Sequence, residues 1–347
     1  MKNLITLSLI FCAFFYSCKT DFEVNSNWKE VPVVYGLLDQ SQQHQYIKIN
    51  KAFIGDNEND AEEIAFASAD SVNYFPENLQ VKLYKLRDGN FGNFEIIDSI
   101  IFNDTILDKE EGLFSIENNI IYTIPTDAFL LGINDNDKYY RLSVLNKKTS
   151  KLVSSETKLI STLNLNIPIN KPMGFYSPIP TPPFSAPLEK TRTSVNWTPS
   201  KNGVVYEIIA RIHYTDFFQD DTIANYIDWI QPQILYNGQQ EMVYTFEGDL
   251  FVNALATKID NNNNSLIARR LSNAELFFTV GSQDLYTYIS VNEPFEGIVQ
   301  ERPVFSNIEN GIGLFASRYN TIHIMSFSSS TREGIAIDLD SLDFVYP

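Results

Sequence analysis

The stretch Arg192-Thr193-Ser194-Val195-Asn196-Trp197-Thr198-Pro199-Ser200, then Lys201-Asn202-Gly203, then Val204-Val205-Tyr206-Glu207-Ile208-Ile209-Ala210-Arg211-Ile212-His213-Tyr214 decides the fold. Two runs rich in β-branched and aromatic residues flank a Lys-Asn-Gly turn, which predicts strand, reversal, strand. The rest of the chain repeats that theme. Aromatics reach 13%, with 25 Phe and 18 Tyr, a composition that favours strands.

Upstream, Val31-Pro32-Val33-Val34-Tyr35-Gly36-Leu37-Leu38 and the alternating His44-Gln45-Tyr46-Ile47-Lys48-Ile49-Asn50 predict an antiparallel hairpin. Further strands are expected at Asn78–Leu86, Phe94–Phe102, Phe114–Ile116, Ile120–Pro125, Tyr139–Asn146 and Leu152–Leu163, with a turn at Arg87-Asp88-Gly89-Asn90. Between them, Asp56 to Tyr74 carries helix formers behind a crowd of acids, which predicts a helical insert near 58–73. Downstream, Gln239–Phe246 reads as a strand and Gly248–Ile259 as a helix. Ser272–Val280 and Asp284–Val291 read as paired strands around Gly281-Ser282-Gln283. Asn310-Gly311 marks a turn, and Gly313 a close approach of backbones.

Asn164 to Pro187 holds seven prolines, a density that resists both helix and central strand. The predicted organisation is therefore a leader over 1–17, a tether over 18–29, an N-terminal β-sandwich unit over 30–163, a proline-rich linker or strap over 164–187, and a C-terminal β unit over 188–347. The fold class is mainly β, with two immunoglobulin- or fibronectin-like sandwich units and one or two short helices. The Trp197 and Tyr206 pattern resembles the start of a fibronectin type III domain. That resemblance implies core roles for both rings.

The N-terminus reads as a secretory leader. Lys2 is followed by an apolar run, Leu4 to Tyr16, then Ser17-Cys18. The run is too short to span a bilayer, which takes about 20 residues. Cleavage before Cys18 would leave that cysteine to carry lipid. The only other cysteine, Cys12, lies inside the leader, so the mature chain could form no internal disulfide. The acidic stretch after Cys18 resembles the export signal of Bacteroidota surface lipoproteins. Together with Val34–Leu38, Ile47–Asn50 and Arg302–Ile324, it resembles a Bacteroidota outer-membrane lipoprotein family of unknown function. Members are often encoded beside TonB-dependent receptors. The resemblance implies an outer-membrane location facing the exterior, with outer-membrane lipid held through Cys18. It also implies a TonB-dependent receptor as partner, and it transfers no catalytic residue.

A formal net charge of −17 repels phosphate backbones, so nucleic acid is not an expected partner. The histidines, His44, His213 and His323, each sit in a strand pattern, and no Gly-x-Ser-x-Gly elbow surrounds a serine. The expected activity is therefore binding, not catalysis; a carboxylate-dependent hydrolase is the enzymatic alternative. No cofactor is expected. The one ion with a sequence rationale is calcium, at Asp56, Glu58 and Asp60 or at Asn134-Asp135-Asn136-Asp137, where a polar turn or helix cap is the plainer reading. Trp229 and Tyr236, in a proline-bearing stretch read as a loop, are the candidates for stacking on a peptide or glycan ligand, against core packing as the plainer role. The function expected is an accessory binding partner of an outer-membrane uptake or secretion system, with a structural or adhesive surface module as the alternative.

Overall fold

In the computed structural model, residues 31–52, 73–89, 93–107, 119–126, 137–166, 171–179, 187–260, 265–293 and 304–346 are described. Cys18, Asp56, Glu58, Asp60, the helical insert near 58–73 and the strand expected at Phe114–Ile116 lie outside them.

The chain is mainly β, with short helices. Its spine is a 9-stranded sheet running β14-β13-β17-β18-β1-β2-β6-β5, with β15 beside β13. The strands are β1 (Val31–Asp39), β2 (His44–Ala52), β5 (Asn103–Ile106), β6 (Ile120–Pro125), β13 (Val205–Phe217), β14 (Thr222–Ile230), β15 (Ile234–Leu235), β17 (Ala268–Gly281) and β18 (Ile312–Ser326). A 4-stranded sheet, β4-β3-β7-β8, faces one end of this spine. It comprises β3 (Leu79–Asp88), β4 (Phe94–Ile101), β7 (Tyr139–Asn146) and β8 (Lys151–Lys158). A 3-stranded sheet, β16-β12-β9, faces the other end, built from β9 (Asn164–Leu165), β12 (Arg192–Thr198) and β16 (Met242–Glu247). The short pair β10 (Tyr176–Pro178) and β11 (Leu188–Lys190) completes the set.

Each end encloses its own core. The first is largely aliphatic: Val34, Ile47, Ile49, Val81, Leu83, Leu142, Val144 and Phe315 meet between β1-β2-β6 and β3-β7-β8. The second is aromatic: Trp197, Tyr206, Phe246, Phe251 and Phe278 are all buried there. The Trp197 and Tyr206 ring centres are 5.7 Å apart, and the Tyr206 hydroxyl accepts a 2.8 Å hydrogen bond from Ser200 N. Asn202, at φ 64, makes the reversal that feeds β13.

β18 belongs to both cores. Phe315 points into the first and Met325 into the second. Its first half pairs in parallel with β1, Val34 opposite Gly313 and Leu37 opposite Ala316, while its second half pairs antiparallel with β17. Gly313 sits at φ 119, and a Cβ there would collide with the Val34 carbonyl. The sheet is thus continuous across the proline-rich segment. In that segment Met173 and Phe175 are fully buried, and Phe175 stacks on Phe251 with ring centres 4.1 Å apart.

Helix α1 (Gly248–Lys258) follows the sequence expectation and turns Phe251, Ala254 and Leu255 inward. The expected strand at Asp284–Val291 is instead helix α2 (Gln283–Asn292). Aromatic and β-branched residues there suggested a strand. Leu285, Tyr288 and Ile289, at i, i+3 and i+4, make a helical stripe that packs on Leu314, Ala316 and Leu37. The strands that pair with β17 are β13 and β18. Helix α3 (Ser329–Asp338), which pattern reading did not find, is capped by Ser328, whose Oγ accepts from Thr331 N at 3.1 Å. Among the described residues, no helix is long and apolar enough to cross a membrane.

Candidate functional site

The strand alternation that buries Ile208, Ala210 and Ile212 turns Ile209, Arg211 and His213 outward. Cross-strand register then assembles the outward face of β14-β13-β17-β18. One row runs Ile230, Ile209, Phe277, Ile322, and the next runs Asp228, Arg211, Glu275, Ile324. Ile230 is 68% exposed, Ile324 64%, Ile322 56% and Tyr226 54%. A contiguous apolar patch of this kind marks an interaction surface more often than chance scatter does.

Two of the charges within the patch, Arg211 and Asp228, are paired with each other. Arg211 Nε donates to Asp228 Oδ1 at 2.8 Å and its Nη2 to Oδ2 at 3.0 Å. The fork is bidentate. The hydrogen bond to Arg211 holds the Asp228 carboxyl below the usual aspartate range, and Asp228 in turn raises the guanidinium. The guanidinium carbon lies 4.1 Å from the ring centre of Tyr226 and 4.9 Å from that of Phe277, so it is stacked as well as paired. His213 Nε2 stands 3.2 Å from Glu275 Oε2, at an angle that makes no hydrogen bond. The result is an apolar-edged face on which Arg211 and Asp228 already have partners, so covering that pair would cost less than covering free ions.

Most residues singled out from sequence fall elsewhere. Trp229 lies on β14, not in a loop. It is 9% exposed and packs against Phe246 and Phe251, with ring centres 5.5 and 6.0 Å away. Ile227 and Trp229 share the inward side of the alternation, which the proline at 232 obscured. Tyr236 is 39% exposed beyond β15, its N–H bonded to Val204 O at 2.8 Å. His44 is exposed near the Tyr46 ring, and His323 pairs with Leu276 on β17. Asp137, from the second acidic run, pairs with Lys201. Among the described residues, no group of three or more His, Cys, Asp or Glu side chains is placed to hold a metal ion. Arg211, Tyr226, Phe277 and Ile322 were missed because their meaning is set by register across four strands; the outward alternation of β13 was the available signal. No protein-family model matches the chain, and no curated protein matches it.

Proposed function

We propose that this chain is a lipid-anchored outer-membrane lipoprotein that acts without catalysis, as an accessory binding partner of an uptake or secretion system. Its docking face is the outward side of β14-β13-β17-β18, and the occupant is an envelope protein, a TonB-dependent receptor by the lipoprotein resemblance. The observation that carries the docking reading is the apolar row Ile230, Ile209, Phe277, Ile322 set beside the self-paired Arg211 and Asp228. Depletion of free charge around exposed apolar and aromatic groups is what a protein interface core requires. An Arg held between two rings is the kind of group that dominates binding energy. The leader residues Ser17-Cys18 support the anchor.

Two measurements test this. A photo-crosslinker placed at Ile230 or Ile322 in intact envelopes is expected to capture a TonB-dependent receptor, and Ile322→Asp with Ile324→Asp to abolish the capture without lowering the melting temperature by more than a few degrees. Capture that survives the double substitution sinks the docking face. Cys18→Ala is expected to move the protein from the membrane to the soluble fraction; persistence in the membrane removes the anchor. Turnover of a glycan or peptide that disappears with a single acid substitution would replace the reading with a hydrolase.

A further inference from the structure

The outward face of β4-β3-β7-β8 carries a groove of about 560 Å³, separate from the docking face. Its floor is two cross-strand rows. Tyr84, Arg141 and Glu156 form one; Ser143 and Ser154 form the other. One wall is the segment that leads into β18. Glu309 and Ser154 exchange backbone hydrogen bonds at 2.8 and 3.3 Å, and Ser154 Oγ donates to Glu309 Oε2 at 2.8 Å. Asn307 fixes this wall, since its side-chain nitrogen donates to Phe315 O at 2.7 Å and its oxygen accepts from Phe315 N at 2.9 Å. Ile96 and Leu152 line the flanks.

We propose that this groove binds a neutral saccharide. The edge of β8 is already paired by Glu309, so an extended peptide cannot add there as a strand, and recognition must run through side chains. The side chains suit hydroxyls. Ser154 and Ser155 spend their hydrogens on Glu309 and on Asn307 O, and keep acceptor lone pairs for the groove. The Arg141 guanidinium donates and carboxylates accept, so each ligand hydroxyl can find a complementary group. Arg141 and Glu156 neutralise each other at 2.6 Å, and the remaining charge of the lining, Glu309, is negative and holds Ser154, which disfavours an anionic ligand. Tyr84, Ile96 and Leu152 offer apolar surface to the C–H faces of a sugar ring. The pocket volume falls within the range of small-molecule sites.

The test is calorimetric titration of the full chain with maltotriose, cellotriose and mannotriose at millimolar concentration. A sialylated trisaccharide and an extended decapeptide serve as comparators. At least one neutral trisaccharide is expected to bind. Arg141→Ala should weaken it about tenfold or more, the cost of a charged hydrogen bond, and Ser143→Trp should abolish it by filling the floor. Ile322→Asp, on the docking face, should leave it unchanged. Circular dichroism on each variant confirms that the fold persists. Failure of all three neutral sugars, tighter binding of the sialylated sugar or the peptide, or binding indifferent to Arg141→Ala and Ser143→Trp overturns the proposal.

Discussion

The two ends of the long sheet solve one packing problem differently. At the first end, the full-length strands β3, β7 and β8 lie over β1-β2-β6, and sheets about 10 Å apart are filled mostly by Val, Ile and Leu. At the second, the facing sheet is only β9, β12 and β16, and β9 has two residues. It cannot cover β13, β14, β17 and β18. The uncovered width is closed by the strap at 173–176, by α1 and by α3, with Phe175, Phe251, Phe327 and Trp229 spanning the larger gap. Bulky rings thus replace the strands that a symmetric sandwich would supply. The aliphatic end depends on backbone pairing, and the aromatic end on side-chain volume.

That contrast breaks first at Phe251. Phe251→Ala removes a fully buried ring stacked on Phe175 and packed against Phe327, and is expected to cost about 3–5 kcal/mol. Leu83→Ala, at the aliphatic end, should cost about 2–5 kcal/mol, toward the lower part of that span because β3 keeps both its neighbours. Urea unfolding of both variants compares them. Equal losses would show that the two cores depend on side-chain volume alike.

The next largest effect is at the joint. Gly313→Ala places a Cβ against the Val34 carbonyl at a φ that side chains rarely adopt, and about 3 kcal/mol or more is expected. Because β18 feeds both cores, the loss should appear in one shared transition followed by near- and far-ultraviolet circular dichroism. Two separated transitions would show that the ends fold independently and that β18 does not couple them.

How far the sequence reveals this depends on which interaction sets each element. β1, β2, β3, β7 and β8 were legible because one buried face gives strict alternation. Asn202 and Gly313 were legible because few residues tolerate their backbone geometry. Two things were not. Leu285-Tyr286-Thr287-Tyr288-Ile289 satisfies both strand and helix patterns, and packing on Leu314 and Ala316 chooses the helix. The parallel pairing of β1 with β18 joins the two ends of the chain, and nothing local encodes it. The docking face and the groove share that limit, since both are read across strands.

A finer contrast concerns buried tyrosines. At the aromatic end, Tyr176 donates to Asp338 Oδ2 at 2.7 Å, and burial, with that bond, pushes its hydroxyl up. Tyr176→Phe is expected to cost about 1.5–3 kcal/mol, the worth of a hydrogen bond to a charged acceptor. Thermal melts at pH 7 measure it. A neutral result would mean that Asp338 is held as well by Lys190, 3.1 Å away.

At the aliphatic end, Tyr122 is 3% exposed and its hydroxyl has no partner among the described residues. Burial first, then the charges of Asp104 and Glu77, push it up to about 12. An unpaired buried hydroxyl costs about 1–3 kcal/mol, so Tyr122→Phe should be neutral or stabilising by up to about 1 kcal/mol at pH 7. The pH dependence has a definite sign. A tyrosine with a raised folded-state value favours the fold below its unfolded value of about 10 and loses that advantage as pH rises toward about 12. The wild type should therefore lose stability between about pH 10 and 12, and Tyr122→Phe should shed part of that slope. Urea midpoints at pH 7 and across the alkaline range decide it. A destabilised variant at neutral pH would mean that the Tyr122 hydroxyl has a partner and that the aliphatic end, like the aromatic one, depends on a buried polar bond. An unchanged alkaline slope would mean that burial does not hold this hydroxyl above its unfolded value.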